Sequence, residues 1–425
     1  MAHDAPGQAK WRAGYVLLIA GLVSVVSYYD RFLLTILVEP VKRDLAISDG
    51  QVGLLAGIGF ALVYGVLGIP MARMADRHGR ARVLAVFLTL WSAMTALSGA
   101  TVNFATMLLA RVGVGVGEAG GIPTVHALVA DHFSPRRRGL ALSTIGAWGA
   151  LGMSLALAVG GYISDHWGWR MAFYLSAIPG IVLALLVRFS VADPRVPGAG
   201  PAVALPGVPP IAASLRLLWK RRSFFLVCVG VGVAGISQYG MQVWSPAFLM
   251  RTYGMSAGEV GASYSLAVGP ASIVAILLGG WINDRLARRD GRWSAWLMAL
   301  SFGLSIPLGL AFLLVHNFAA AMALTVIWTL VGNLWTGPAY AAVQNLAGPQ
   351  LRALAAAIFM MIINLLGVGL GPVIPGVLSD VLAPRFGASS LMLGLCILAA
   401  AGVVSLVPFL MAARSIKADV LDANR

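Results

Sequence analysis

Ala75-Asp76-Arg77-His78-Gly79-Arg80-Ala81-Arg82 and Asn283-Asp284-Arg285-Leu286-Ala287-Arg288-Arg289-Asp290-Gly291-Arg292 are two basic loops in an apolar chain. Each follows a long hydrophobic run. A second pair of loops also repeats: Pro135-Arg136-Arg137-Arg138-Gly139-Leu140-Ala141 and Pro349-Gln350-Leu351-Arg352-Ala353-Leu354-Ala355. Equivalents lie just over 200 residues apart in both cases. Two six-helix bundles related by a pseudo-twofold axis along a membrane normal would produce this repeat, with a substrate site near the midplane.

Composition supports a membrane protein. Of the 425 residues, 59% are hydrophobic and 11% charged, whereas a soluble globular chain carries about 25% charge. The 50 glycines suit helices whose backbones approach closely in lipid. The apolar sequence suffices for about twelve spans of ~20 residues. Hydrophobic runs place them at 13–38, 51–75, 83–101, 104–130, 139–163, 170–189, 223–250, 258–283, 293–315, 318–346, 352–379 and 388–411. The expected fold is all-α, with twelve transmembrane helices in two pseudo-symmetric six-helix bundles. The first bundle takes residues 1–189 and the second 223–425. A cytoplasmic linker, 190–222, joins them. It holds six prolines and then a short basic amphipathic stretch, Ala212 to Arg222, which suits a membrane interface.

The net charge of +14 would suit nucleic acid, but its placement argues for orientation. Of 30 Lys and Arg, 23 fall in the tails and alternate loops, and five (Lys42, Arg43, Arg170, Arg251, Arg385) in the opposite loops. That asymmetry follows the positive-inside rule. It predicts a multi-pass protein of a bacterial inner membrane with both termini cytoplasmic, bilayer lipid as a partner and no nucleic acid. Cys228 and Cys396 lie inside expected helices and give neither a disulfide framework nor a metal spacing. The first apolar run, Ala13 to Val38, is too long for a signal peptide core and reads as a retained helix.

Four strongly charged residues fall at membrane depth: Asp30 and Arg31 in the first span, Arg111 and Glu118 in the fourth. Such groups are costly in lipid, so they are paired and usually functional. Arg111 and Glu118 are nearly two turns apart, about 10 Å along one face, and Asp30 and Arg31 point about 100° apart. The expected network has Asp30 or Glu118 pairing Arg111, with Arg31 closing it. How tightly an acid holds a proton depends on water access and on its distance from arginine. If two conformations differ in both, Glu118 couples proton binding to rocking of the halves. A static ion pair that only fixes helix packing is the competing reading.

The motifs carry a resemblance. Asp76-Arg77-His78-Gly79-Arg80 is similar to the signature loop of the major facilitator superfamily of transporters. Arg111 followed by Gly115 and Gly117 is similar to its fourth-helix motif. Ala72 stands where the signature opens with glycine, and the fifth helix carries Gly149, Gly152, Gly160 and Gly161 without the Gly-Pro of the antiporter motif. More narrowly, Tyr29-Asp30-Arg31, the run Gly68 to Arg77 and Arg111 to Gly120 resemble bacterial members of the Spinster family, with Glu118 tipping the balance. That resemblance implies a proton-linked carrier, and animal members export lysophospholipids or sphingosine phosphate. A similar Tyr-x-Asp-Arg occurs in organic anion symporters for sugar acids.

The loop around Asp76, Arg77, Gly79 and Arg80 reads as a cytoplasmic latch. Asp76 can accept bonds at a helix N-terminus, expected to be that of the eleventh span beyond Arg352, and Arg80 can reach Asp131. Its competing reading is orientation charge alone. Substrate contacts are expected among Tyr64, Trp148, Gln238, Tyr239, Gln242, Tyr264, Asn333, Trp335, Tyr340 and Asn364. Each of these is individually more often a helix-packing residue than a ligand contact.

Several patterns carry no function. Gly115 to Gly120 matches G-x-G-x-x-G but follows no strand, so close helix packing through Gly113, Gly117 and Gly121 is the better reading. The lysines lie outside any phosphate-binding loop, His126, Asp131 and His132 lack metal spacing, and Ser154 is no nucleophile elbow. No enzyme, cofactor or metal is expected. The reading is a monomeric, proton-coupled secondary transporter of an amphipathic, lysophospholipid-like anion. Alternatives are a sugar-acid symporter, a small-molecule efflux carrier, and a membrane sensor on a transporter fold.

Overall fold

A computed structural model of the chain describes residues 6–133, 135–191 and 211–423. The proline-rich stretch 192–210 lies outside the described residues. Among those described there is no strand, and the backbone is helical almost throughout. Lipid explains this: it offers no hydrogen bonds, and a helix satisfies its own backbone.

The first half comprises α1 (Pro6–Leu45), α2 (Asp49–Ala56), α3 (Ile58–His78), α4 (Arg80–Gly99), α5 (Phe104–His132), α6 (Pro135–Trp167) and α7 (Trp169–Ser190). A short helix, α8 (Ile211–Lys220), precedes α9 (Arg222–Tyr253), α10 (Ala257–Ala287) and α11 (Trp293–Leu314). Then come α12 (Phe318–Gly332), α13 (Thr336–Ile362), a π-helical turn over Ile363–Leu370, α14 (Val373–Phe386), α15 (Ser390–Ala401) and α16 (Leu406–Ala423).

Among the described residues, ten helical runs are long and apolar enough to cross a membrane. The last of them, Gln350–Ala423, is 74 residues long and holds two crossings, one ending in α14 and one in α15–α16. Helix α3, 21 residues, completes the twelve expected. Breaks fall at glycines that permit them. Gly57 separates α2 from α3. Gly348 turns α13 at φ 70°, where a Cβ would lie 2.5 Å from the Ala423 carbonyl.

Two compact units emerge. One holds α1, α3–α7 and the first turns of α10; the other holds α2, α8, α9, the rest of α10, and α11–α16. In the first unit α1 and α6 meet through small residues: a Cβ on Gly152 would sit 2.3 Å from the Val25 carbonyl, and one on Gly21 would sit 2.8 Å from Trp148. Helices α4 and α5 pack the same way. Gly117 and Gly121 rest on Trp91, Gly113 on Met94 and Gly120 on Phe87. This is the close approach expected of that glycine stripe. In the second unit Phe302 stacks on both Phe409 and Trp335, with centroids 5.6 and 5.4 Å away. The amphipathic stretch is helical, as its pattern requires. Leu218 of α8 is fully buried in this core, while Leu217 and Trp219 remain exposed.

Candidate functional site

The four charged residues at membrane depth converge on α1 and α5. Arg31 donates from Nη2 to Glu118 Oε2 at 2.7 Å. Glu118 and Asp30 are both fully buried and Arg111 is 2% exposed. The pairing differs from expectation. Arg111 makes no direct ion pair with either carboxylate; its Nη2 reaches the Asp30 backbone carbonyl at 3.5 Å. The reason is one of reach. Glu118 lies nearly two turns along α5 from Arg111, and Arg31 fills the gap from α1.

Asp30 is held by hydroxyls. Thr95 of α4 donates to its Oδ2 at 3.3 Å, and Ser176 of α7 also interacts with it. These two residues were not legible in the sequence, because one hydroxyl in an apolar helix carries no pattern. Asp30 is therefore no surface charge. Polar capacity remains within the cluster: among the described residues, Asp30 Oδ1, Glu118 Oε1, and Nε and Nη1 of Arg111 have no hydrogen-bond partner. A cluster of two acids and two arginines with open donor and acceptor sites can take up or release a proton. It can also offer cationic edges to an anion.

At the basic loop, Arg80 Nη1 bonds both Asp131 Oδ2 and the Ala127 carbonyl at 2.5 Å. Gly79 takes φ 91° just before α4, a conformation that favours glycine. Arg77 is exposed. The side chains of Asp76 and Tyr64 lie outside the described residues.

The remaining candidates separate. In the first unit, Trp148 packs against Gly21 and Tyr264 is 1% exposed. In the second, Gln238 donates to the Gly332 carbonyl at 3.4 Å, and Asn333 bonds the Thr329 carbonyl of its own helix. Trp335 belongs to the aromatic core described above. Tyr340 reaches the Met360 sulfur at 3.2 Å, and Asn364 donates to the Met360 carbonyl at 2.8 Å. Tyr239 lies against Gly367 of the π-helical turn that also carries Asn364. Such turns are frequent at functional sites. Gln242 is half-buried on α9. Gln238 also lines a small polar recess with Ser237, Ser305 and Ser405.

A second charged cluster escaped the sequence reading. Asp49, 2% exposed at the start of α2, accepts both guanidinium nitrogens of Arg251 at 2.7 and 2.8 Å. It also accepts the Ser379 hydroxyl at 2.6 Å. Asp380 accepts the backbone N–H groups of Asp49 and Gly50 at 3.0 and 2.8 Å. An anion at a helix N-terminus is favoured by the aligned peptide dipoles. The first unit repeats the motif: Asp165 of α6 accepts the Gly258 N–H of α10 at 2.8 Å. Both helices open with a capping box, Ser48 with Gln51 and Ser256 with Glu259. Those two boxes are the signal that the sequence did contain.

Residues 20–372 match the family model of the Major Facilitator Superfamily. The chain belongs to that superfamily. It is 37% identical, over 97% of its length and 96% of the relative's, to an MFS-type efflux pump of Mycolicibacterium smegmatis. It is 26% identical over 88% of its length to protein spinster homolog 1 of Rattus norvegicus, covering 74% of that protein. In fold it is similar to a bacterial homolog of the human lysosomal transporter Spinster, solved inward-facing and unoccupied. The TM-score is 0.87 at 24% identity, covering 98% of this chain and 99% of the other. The protein is thus a multi-pass membrane transporter of this superfamily, resembling Spinster proteins over most of its length.

Proposed function

We propose that this transporter is proton-coupled and moves an amphipathic anion across the membrane by alternating access, with Asp30, Arg31, Arg111 and Glu118 as the coupling group. The observation that carries this reading is the ion pair between half-buried Arg31 and fully buried Glu118, beside an equally buried Asp30. Buried charge of this kind is retained where it does work. When Glu118 takes a proton, its attraction to Arg31 is lost and α1 and α5 are released from one another. An anionic headgroup then competes for the freed arginines, which binds substrate and proton in one linked equilibrium. Within the second unit, the half-buried Gln238, Tyr239, Gln242, Tyr340 and Asn364 offer amide and aromatic surface. The loop at Arg80 acts as a gate, and each unit has its own carboxylate clamp, at Asp165 in the first and at Asp380 in the second. The bundles 1–189 and 223–425 rock, the basic loops and both termini facing the cytoplasm.

Purified protein in proteoliposomes tests this directly. Lysophospholipids, sugar acids and cationic drugs are compared with and without a pH gradient, and Glu118→Gln is run in parallel. Lysophospholipid movement should follow the gradient, and Glu118→Gln should abolish gradient-driven accumulation while leaving exchange. Normal accumulation by Glu118→Gln removes that residue from coupling. The M. smegmatis relative favours a second reading, efflux of small molecules; movement of the drugs but of neither lipid nor sugar acid would select it.

A further inference from the structure

The transport reading makes no use of an apolar groove on the lipid-facing side of α11 and α16. Trp293, Trp296, Leu300 and Leu304 form one wall, and Leu406 and Leu410 the other. Gly303 keeps it open, since a Cβ there would meet only Leu406, at 3.5 Å. Behind it Phe302 and Phe409 stack in parallel and hold the two helices. The groove has a volume of ≈ 420 Å³, within the ~300–1,000 Å³ of ligand pockets. From Trp293 to Leu304 a helix advances about 16 Å, half of a hydrocarbon core of ~30 Å. The groove therefore runs the depth of a single leaflet.

Its polar end is cationic. Arg289 and Arg292 lie just before Trp293. On α16 the residues Leu406, Leu410, Arg414 and Lys417 recur at helical spacing, so the apolar stripe passes into two cations on one face. All four basic residues are exposed. One carboxylate, Asp290, bonds Lys417 at 3.0 Å. The Arg292 N–H and the Lys417 ammonium hold its carboxyl below the usual range, so it stays charged and neutralises one cation. Among the described residues, no carboxylate pairs with Arg289, Arg292 or Arg414. Trp293 and Trp296, edge to face at 5.2 Å, sit where tryptophan marks the headgroup depth.

We propose that this groove is a binding site for an anionic diacyl phospholipid of the bilayer. One acyl chain lies between α11 and α16, and the phosphate rests on Arg292 and Arg414. A zwitterionic lipid offers the same chain but adds a cation where three arginines already stand. Charge thus selects the occupant.

The test uses the full-length protein in nanodiscs of phosphatidylcholine alone or mixed with phosphatidylglycerol. Readouts are melting temperature and lipids retained in native mass spectrometry. Phosphatidylglycerol should raise the melting temperature and be enriched about tenfold among retained lipids. The double variant Arg292→Gln/Arg414→Gln should bring that enrichment to parity while retaining lipid. Gly303→Phe, which fills the groove, should lower retention of both lipids. Equal retention and stabilisation by the two lipids in the unaltered protein overturns the proposal. So does an undiminished phosphatidylglycerol preference in the double variant. None of these residues touches the Arg31–Glu118 pair, so failure here leaves the transport reading standing.

Discussion

Gly50 donates its backbone N–H to Asp380 at 2.8 Å, and Gly258, 208 positions on, donates to Asp165 at the same 2.8 Å. The correspondence extends along both helix pairs. A Cβ on Gly53 would strike the Pro372 carbonyl at 2.6 Å, and one on its equivalent Gly261 would strike Leu157 at 2.1 Å. A Cβ on Gly376 would strike the Asp49 carbonyl at 2.4 Å, and one on Gly161 would strike Ala257 at 2.3 Å. Every partner in one contact is thus matched by its repeat equivalent in the other. Helices α2 and α14, and α10 and α6, dock by one shared rule: glycine against carbonyl, with a carboxylate on the helix N-terminus.

If the dipole contact stabilises this docking, Asp380→Asn and Asp165→Asn should each lower stability. The expected loss is about 0.3–1 kcal/mol, approaching ~2 where the site is partly buried. The two clamps share no residue, so the losses should add in the double variant. Thermal unfolding in detergent measures all three, and a double variant no worse than either single one would contradict independent clamps.

Glycine itself is required at these contacts, but not equally. In Gly258→Ala the new Cβ would meet Asp165 Oδ2 at 2.5 Å, a side-chain atom that can swing aside at the cost of its bond. In Gly161→Ala it would meet a backbone carbonyl, which moves only with its helix. Overpacking of this kind costs about 1–3 kcal/mol. Gly161→Ala should therefore lose more melting temperature than Gly258→Ala. The reverse order would show that the carboxylate contact, not backbone approach, sets the spacing.

Much of the architecture was legible because lipid allows so few solutions. Twelve apolar runs and two repeated loops pointed to the helices, and Asp30, Arg31, Arg111 and Glu118 were conspicuous as charge where charge is expensive. Their pairing was not legible. Whether Glu118 meets Arg31 depends on the rotation of α1 against α5, which no local stretch of sequence states. The Asp49–Arg251 and Asp380–Gly50 contacts were hidden for another reason. They join loop-edge residues that look like ordinary surface charges until the fold brings the distant helix ends together.

Within the buried cluster, Arg111→Ala and Thr95→Val separate charge from hydrogen bonding. Arg111 is the arginine beside Asp30, and removing it strands a fully buried acid. Breaking buried charge networks this way costs about 3–5 kcal/mol. Thr95→Val removes one hydroxyl from Asp30, worth about 1 kcal/mol. Arg111→Ala should thus express poorly and lose transport, while Thr95→Val should fold nearly as well as the unaltered protein. Fluorescence-detected size exclusion and flux assays read both. A fully active Arg111→Ala protein would remove it from the coupling group.

The Asp49–Arg251 pair offers the sharpest contrast between two cations. Arg251 meets Asp49 through two parallel bonds of 2.7 and 2.8 Å, a fork that lysine cannot reproduce. Asp49 is 2% exposed, so it depends on that partner and on Ser379. Arg251→Ala leaves the buried carboxylate without its cation, a loss of about 3–5 kcal/mol. Arg251→Lys keeps the charge and gives up the second bond, so it should recover part of that loss. Asp49→Asn/Arg251→Ala should be more stable than Arg251→Ala alone, because no charge is then left stranded. Melting temperatures of the three variants decide the matter: if removing Asp49 brings no rescue, the penalty in Arg251→Ala comes from lost packing on Trp244 and not from charge.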